Sequence, residues 1–71
     1  PLQITLGLKD ETMEKLYLVA YTLHQNGDPR KARSLFRFLS FLNPQKVDYW
    51  MGLGTCFFIE GRILEAMSIF E

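Results

Sequence analysis

The feature that most restricts the fold of this chain is a residue pattern that recurs after 34 positions. Seven positions of the first copy return in the second copy, in the same order and close to the same size. They are Leu16, Val19, Ala20, Leu23, Gly27, Ala32 and Phe36, then Trp50, Leu53, Gly54, Phe57, Gly61, Ala66 and Phe70. A period of this length with two helical segments per unit is typical of an α-solenoid. Solenoids usually bind partners along an inner surface, so the repeat favours a binding protein.

Glycine, asparagine and proline mark the ends of the helices. Asn26-Gly27 and Asn43-Pro44 stop the first and second helices, and Gly61 stops the third, because these residues turn or interrupt a helix. Asp28-Pro29 supplies a cap and then proline at the first helical position, so the second helix follows the first after about two residues. So short a connection predicts an antiparallel pair.

The predicted fold is all-α, with helices at about residues 10–26, 29–42, 45–60 and 62–71. The domain organisation follows from the repeat: residues 1–9 are an extended lead-in, 10–44 the first repeat and 45–71 the second. We expect the second repeat to be incomplete, at about 1.7 repeats in all, because the counterpart of Pro44 would lie beyond Glu71.

Helical spacing assigns the faces of these helices. The packing face of the first helix is predicted at Met13, Leu16, Val19, Ala20 and Leu23, and the small Ala32 lets the second helix approach closely. Arg30, Arg33 and Arg37 share another face of the second helix, where we expect a solvated outer stripe. Cys56 is expected between helices as a small packed thiol.

Composition limits the classes of partner that the chain is expected to bind. Eight basic residues balance eight acidic ones, so no net charge draws the chain to nucleic acid or anionic lipid. No apolar run reaches the roughly 20 residues of a membrane span, and the single cysteine suits a reducing compartment. Hydrophobic residues form 48% of the chain, more than so small a domain can bury. We therefore expect self-association or an apolar partner.

The second unit resembles the tetratricopeptide repeat, through Trp50, Leu53, Gly54 and Phe57 with Gly61, Ala66 and Phe70 at that family's spacings. A narrower resemblance covers nearly the whole chain and rests on four stretches. They are residues 14–21 (EKLYLVAY), 25–27 (QNG), 36–39 (FRFL) with Ala32, and 49–56 (YWMGLGTC). These are similar to the class II chaperones of bacterial type III secretion, which hold hydrophobic translocator subunits in the bacterial cytoplasm before export. The chain resembles the central part of such a chaperone.

This resemblance implies a concave groove lined by the first helix of each repeat, where an extended apolar client peptide binds. The positions left free to line it are Tyr17, Tyr21, His24 and Gln25 in the first repeat, and Met51, Thr55, Phe58 and Ile59 in the second. Their aromatic and apolar character suits such a peptide. The alternative is that these residues pack against other protein segments.

The sequence offers no catalytic or cofactor site. His24 has no second histidine and Cys56 lies a repeat away, which is too few ligands for zinc. No phosphate loop or nucleophile motif is present. We therefore predict a non-enzymatic protein without cofactors: a secretion chaperone, or else a generic tetratricopeptide adaptor or a purely structural oligomerisation module.

Overall fold

The computed structural model describes residues 1–71 and folds them into five α-helices. They are α1 (Leu2–Thr5), α2 (Asp10–Gln25), α3 (Pro29–Leu42), α4 (Val47–Ile59) and α5 (Ile63–Phe70). Helices α2 and α3 form one antiparallel hairpin and α4 and α5 a second, with α4 packed on both α3 and α5. The predicted all-α repeat fold is confirmed, and the four long helices begin and end within two residues of the expected positions.

One kind of turn joins the helices in both repeats. Gly27 and Gly61 each have a φ of 78°, which side chains disfavour and glycine accepts without strain. In both turns the residue after the glycine donates its N–H to a carbonyl five residues back, at 2.9 Å. Asp28 then caps α3, accepting a hydrogen bond from the N–H of Lys31 at 3.1 Å, and Pro29 follows as predicted.

The lead-in at residues 1–9 is helical in part, which corrects the expectation of an extended segment. Helix α1 is a single turn fixed by Gln3, whose side chain is buried. The Gln3 amide nitrogen donates to the carbonyl of Leu8 at 3.1 Å and to Asp10 at 2.8 Å, while its oxygen accepts from Asn43 at 3.5 Å. These contacts tie the lead-in to the start of α2 and the end of α3.

The core lies along the line where the helices meet. It consists of Met13, Ala20, Ala32, Phe36, Leu39, Leu42, Tyr49, Leu53, Cys56, Phe57 and Ala66. Val19 was expected there but is 51% exposed. It lies about 100° round the helix from Ala20, since each residue turns an α-helix by that amount. The opposite flank of the face is filled by Tyr17, which packs against the core.

The arginine face of α3 is also different from the prediction. Arg33 was expected to be solvated, but its side chain is 17% exposed and paired with Glu60, the residue that follows α4, whose side chain is equally buried. Two guanidinium nitrogens contact the two carboxylate oxygens, at 2.7 and 3.3 Å. The guanidinium groups of Arg33, Arg37 and Arg62 lie 5.5, 5.8 and 4.9 Å from the centre of the Phe57 ring. This face therefore joins α3 to α4.

Many large apolar side chains remain on the surface, as the composition predicted. Fifteen are exposed by at least two-fifths, including Leu64 at 80% and Phe41 at 68%. None of the helices combines the length and the apolar character needed to cross a membrane.

Candidate functional site

A concave pocket of about 140 Å³ lies between α2 and α4. Tyr17, Tyr21 and His24 line it from α2, Phe36 from α3, and Asp48, Met51, Gly52 and Thr55 from α4. Phe36 is 2% exposed, whereas Tyr21 and Met51 are 42% and 53% exposed. The phenylalanine therefore lies deep in the pocket, and the other two side chains stand at its rim.

The wall of the pocket on the α2 side is an aromatic cluster. The rings of Tyr17 and Tyr21 meet edge to face at a centroid distance of 5.2 Å, and each lies 5.9 Å from the ring of Phe36. Tyr17 also packs 5.7 Å from the buried ring of Tyr49 on α4. Edge-to-face pairs of this kind are favourable because the positive ring edge meets the negative face. The three rings therefore support one another in the wall of the pocket.

Three polar side chains interrupt this apolar lining. His24 is half-buried beside Tyr21, at a centroid distance of 6.4 Å, and its buried Nδ1 has no hydrogen-bond partner. Asp48 is exposed and forms no ion pair. The hydroxyl of Thr55 donates to the carbonyl of Met51 at 2.8 Å, which leaves its oxygen free to accept. Asp48 and Thr55 therefore offer hydrogen-bond acceptors at the pocket surface, whereas His24 Nδ1 is enclosed by the protein.

Burial raises the pKa of Tyr17 in the pocket wall and of its neighbour Tyr49. Removal from water, followed by the effect of Tyr21, raises the pKa of Tyr17 to about 12. Burial also raises the pKa of Tyr49, with the carboxylates of Glu14, Asp10 and Asp48 adding to the effect. Both phenols are therefore neutral at physiological pH. Each offers an apolar ring and one uncharged hydroxyl group.

The structure brings five of the eight predicted groove residues together. Tyr17, Tyr21, His24, Met51 and Thr55 all line the pocket between α2 and α4. Gln25 and Ile59 are exposed and lie outside it, and Phe58 lines a separate surface between α4 and α5.

Tyr17 has a second role that helical spacing did not reveal. It was expected to lie apart from the packing face of α2, yet it contacts Phe36 and Tyr49 and belongs partly to the core. The pocket is thus continuous with the packing between the two repeats.

The prediction missed three pocket residues, Phe36, Asp48 and Gly52. Asp48 and Gly52 could have been found, because Asp48 lies three residues before Met51, and Gly52 lies four after Asp48 and three before Thr55, so all four share one face of α4. Phe36 could not have been found in this way. It reaches the pocket from α3, and the periodicity within one helix says nothing about which side chain of another helix fills a gap.

Cys56 is fully buried, as predicted, and is a poor nucleophile there. Burial raises the pKa of its thiol to about 11, with Glu60 adding to the rise and Arg33 opposing it. No three histidine, cysteine, aspartate or glutamate side chains lie close enough together to hold a metal ion.

Comparison with known families agrees with this architecture. Residues 13–46 match the family model of the tetratricopeptide repeat, a stretch that covers most of α2, all of α3 and the connection to α4. The match supports a protein of the tetratricopeptide class, whose repeats typically mediate protein–protein interactions without catalysis. Neither a curated protein nor a solved structure matches the chain.

Proposed function

We propose that this tetratricopeptide-class chain binds an extended apolar segment of a protein partner in the pocket between α2 and α4. One observation carries the proposal: two tyrosines of α2 and a methionine of α4 surround a preformed hollow with a buried phenylalanine at its base. Aromatic and thioether side chains give a binding surface a large apolar area that adapts to its ligand.

The size of the pocket fits one side chain of such a segment. A cavity of about 150 Å³ accommodates a ring the size of benzene, and this one measures about 140 Å³. Pockets for drug-sized ligands and cofactors are larger, about 300–1,000 Å³. The ligand is therefore a chain that inserts one apolar side chain here and continues along the surface on either side.

The polar rim suits the backbone of that chain. Asp48 is exposed and forms no ion pair, and Thr55 keeps acceptor capacity after its hydrogen bond to Met51. Backbone N–H groups on either side of the inserted side chain supply donors for both, and such bonds fix the register of an extended peptide.

At a finer level, we propose that the partner is a hydrophobic translocator subunit of a type III secretion system, and that the chain acts in the bacterial cytoplasm. This step rests on the sequence resemblance to class II secretion chaperones. The pocket suits that role because it covers an apolar side chain that would otherwise promote aggregation of the client. The alternative is a tetratricopeptide adaptor with another protein partner, which the same pocket would serve.

Isothermal titration calorimetry with short designed peptides tests the binding site. The probes are soluble serine- and glycine-rich peptides that carry a single central Phe, Leu or Ala. We expect the Phe and Leu peptides to bind and the Ala peptide to bind at least tenfold more weakly, because only the larger side chains fill the pocket. Equal affinities of the three peptides, or no binding by any of them, would contradict the proposal.

Two variants locate this binding on the protein. Tyr21→Ala and Met51→Ala remove exposed rim side chains and should each weaken the Phe peptide about tenfold or more, as loss of an anchor contact of about 2 kcal/mol predicts. Phe38→Ala is the matched control, since Phe38 is 49% exposed on another surface, formed by α3. If only Phe38→Ala weakened binding, the ligand would sit on the convex face.

The chaperone role needs a separate test. Co-expression with a pore-forming translocator subunit should raise the soluble yield of that subunit, and Tyr21→Ala should remove the gain. If the designed peptides bind but translocator solubility does not change, the adaptor alternative is favoured over the chaperone.

A further inference from the structure

The pocket between α2 and α4 carries a negative charge in its lining. Asp48 stands in the first turn of α4, three residues before Met51, and both side chains line the pocket. Asp48 is exposed and forms no ion pair. A free carboxylate therefore lies beside the hollow that we propose for an apolar side chain.

Two further carboxylates act on the same wall of the pocket. After burial, the causes that raise the pKa of Tyr49 are Glu14, Asp10 and Asp48. Burial and Tyr21, followed by Asp48 and Glu14, raise the pKa of Tyr17. No basic side chain opposes these effects at either tyrosine. The surroundings of this part of the wall are therefore negative.

The basic residues of the chain do not neutralise this charge. None of the eight lysines and arginines lines the pocket. Lys15 pairs with Glu11 at 3.4 Å, and Lys46, two residues before Asp48, forms no ion pair. A positive charge on a ligand would therefore meet a carboxylate that the protein leaves unpaired.

The geometry of an extended peptide says which of its residues would meet Asp48. Successive side chains of an extended chain point to opposite sides, so those two positions apart share one side and are about 6.7 Å apart. When one apolar side chain enters the pocket, the side chain two positions away also faces the protein. A carboxylate has two acceptor oxygens, so Asp48 can bind a basic side chain and a backbone N–H together.

We infer that the pocket prefers partner segments in which a lysine or arginine lies two positions from the inserted apolar residue, and that Asp48 binds this basic side chain. The inference rests on the proposed function and adds the charge of the bound segment to it. An acidic residue at the same position is repelled. Charges at the rim of an interface mainly set which partner is accepted.

Asp48 also has a structural contribution that the test must separate from binding. An acid in the first turn of a helix is stabilised by the helix dipole, whether or not a ligand is present. Glu11 occupies the first turn of α2 in the same way, but it does not line the pocket and does not affect the pKa of Tyr17 or Tyr49. Glu11→Gln is therefore the matched control for Asp48→Asn.

Three peptides with one central Phe test the preference. They are serine- and glycine-rich and carry Lys, Ser or Glu both two positions before and two positions after the Phe, so the direction of binding does not matter. By calorimetry at low salt, we expect the Lys peptide to bind about tenfold more tightly than the Glu peptide, with the Ser peptide between them. About 0.5 M salt should remove most of the difference, because it screens exposed charges.

The variants assign the preference to one residue. Asp48→Asn should reduce the ratio of the Lys and Glu affinities to about threefold or less, whereas Glu11→Gln should leave it near tenfold. Circular dichroism and thermal denaturation check that both variants fold. A preference that Asp48→Asn leaves intact overturns the inference, and a lower melting temperature without a change in preference would limit Asp48 to its helix.

Failure of the inference and failure of the proposed function give different results. If the Ser peptide binds and the Lys and Glu peptides bind equally well, the inference is wrong and the apolar pocket stands. If none of the three peptides binds, both are wrong.

Discussion

Gly52 and the ring of Phe36 approach each other so closely that no side chain fits between them. An ideal Cβ on Gly52 would lie 2.5 Å from Cε1 of Phe36 and 2.6 Å from Cδ1, and the ring is buried and cannot move aside. We predict that Gly52→Ala lowers the free energy of unfolding by about 1–3 kcal/mol, as overpacked cores do. Urea denaturation monitored by circular dichroism measures the change.

Gly54 provides the matched control for this prediction. A Cβ there would also lie 2.5 Å from a ring, that of Phe70, but this ring is 55% exposed and can swing away. Alanine also favours a helix by up to about 1 kcal/mol over glycine. Gly54→Ala should therefore cost less than Gly52→Ala, and the reverse order of urea midpoints would contradict the proposed packing.

A further prediction concerns Arg33, which sequence analysis placed in solvent. Because its side chain is 17% exposed and paired at two points with Glu60, Arg33→Ala should destabilise the fold by about 1–3 kcal/mol. Arg37→Ala is the control. Arg37 is exposed without a carboxylate partner and should cost about 1 kcal/mol or less.

A double-mutant cycle separates the ion pair from the packing of the arginine side chain. If the pair is the cause, Arg33→Ala combined with Glu60→Ala should cost clearly less than the sum of the single changes. Additive costs would instead assign the loss to the contact of Arg33 with Phe57.

Ala32 is completely buried where α2 and α3 cross, so a larger side chain there must push the helices apart. We predict that Ala32→Leu costs about 1–3 kcal/mol. Ser34→Leu adds a comparable side chain at an exposed position of the same helix and should stay within about 0.5 kcal/mol of the parent. Equal thermal midpoints for the two variants would refute the close crossing.

The two tyrosines of the pocket should differ in what they contribute. Tyr17 contacts both Phe36 and Tyr49, so Tyr17→Ala should reduce stability by about 1.5–3 kcal/mol. Tyr21 is 42% exposed, so Tyr21→Ala should cost less stability and mainly reduce peptide affinity. Thermal denaturation of both variants checks this, and equal losses would mean that Tyr21 belongs to the core as well.

Alkaline pH should destabilise the protein in a defined range. Burial raises the pKa of Cys56 from 9.0 to about 11 and that of Tyr17 from 10.0 to about 12. The folded state holds these protons more tightly than the unfolded state, so this contribution is complete below about pH 9 and is lost as pH rises toward 12. Unfolding midpoints measured from pH 7 to 11 should fall above pH 9, and less steeply in Cys56→Ala.

Local sequence signals predicted the parts of the fold that depend on local chemistry. Gly27, Asp28 and Pro29 act within a few residues of where they stand, and the turn they predicted is present. Helix α1 was missed because it depends on the buried Gln3, whose amide contacts Leu8, Asp10 and also Asn43, which lies 40 residues away. The pairing of Arg33 with Glu60 spans 27 residues and is equally invisible to helical periodicity.

In the candidate site, too, helical periodicity does not predict contacts between residues of different helices. Tyr21, His24, Met51 and Thr55 line the same pocket because each lies on the predicted face of its own helix, and their role in binding stays a prediction. That Tyr17 also belongs to the core depends on where Phe36 and Tyr49 reach from neighbouring helices. Periodicity gives the direction of a side chain from its own helix, and only the packed structure gives the neighbour it meets.

Each long helix packs mainly on the next one along the chain. This arrangement favours fast folding. Contacts between sequence neighbours close only short loops, and chains built from them fold in microseconds to milliseconds. The α2–α3 hairpin can form first and serve as the template on which α4 and then α5 are added.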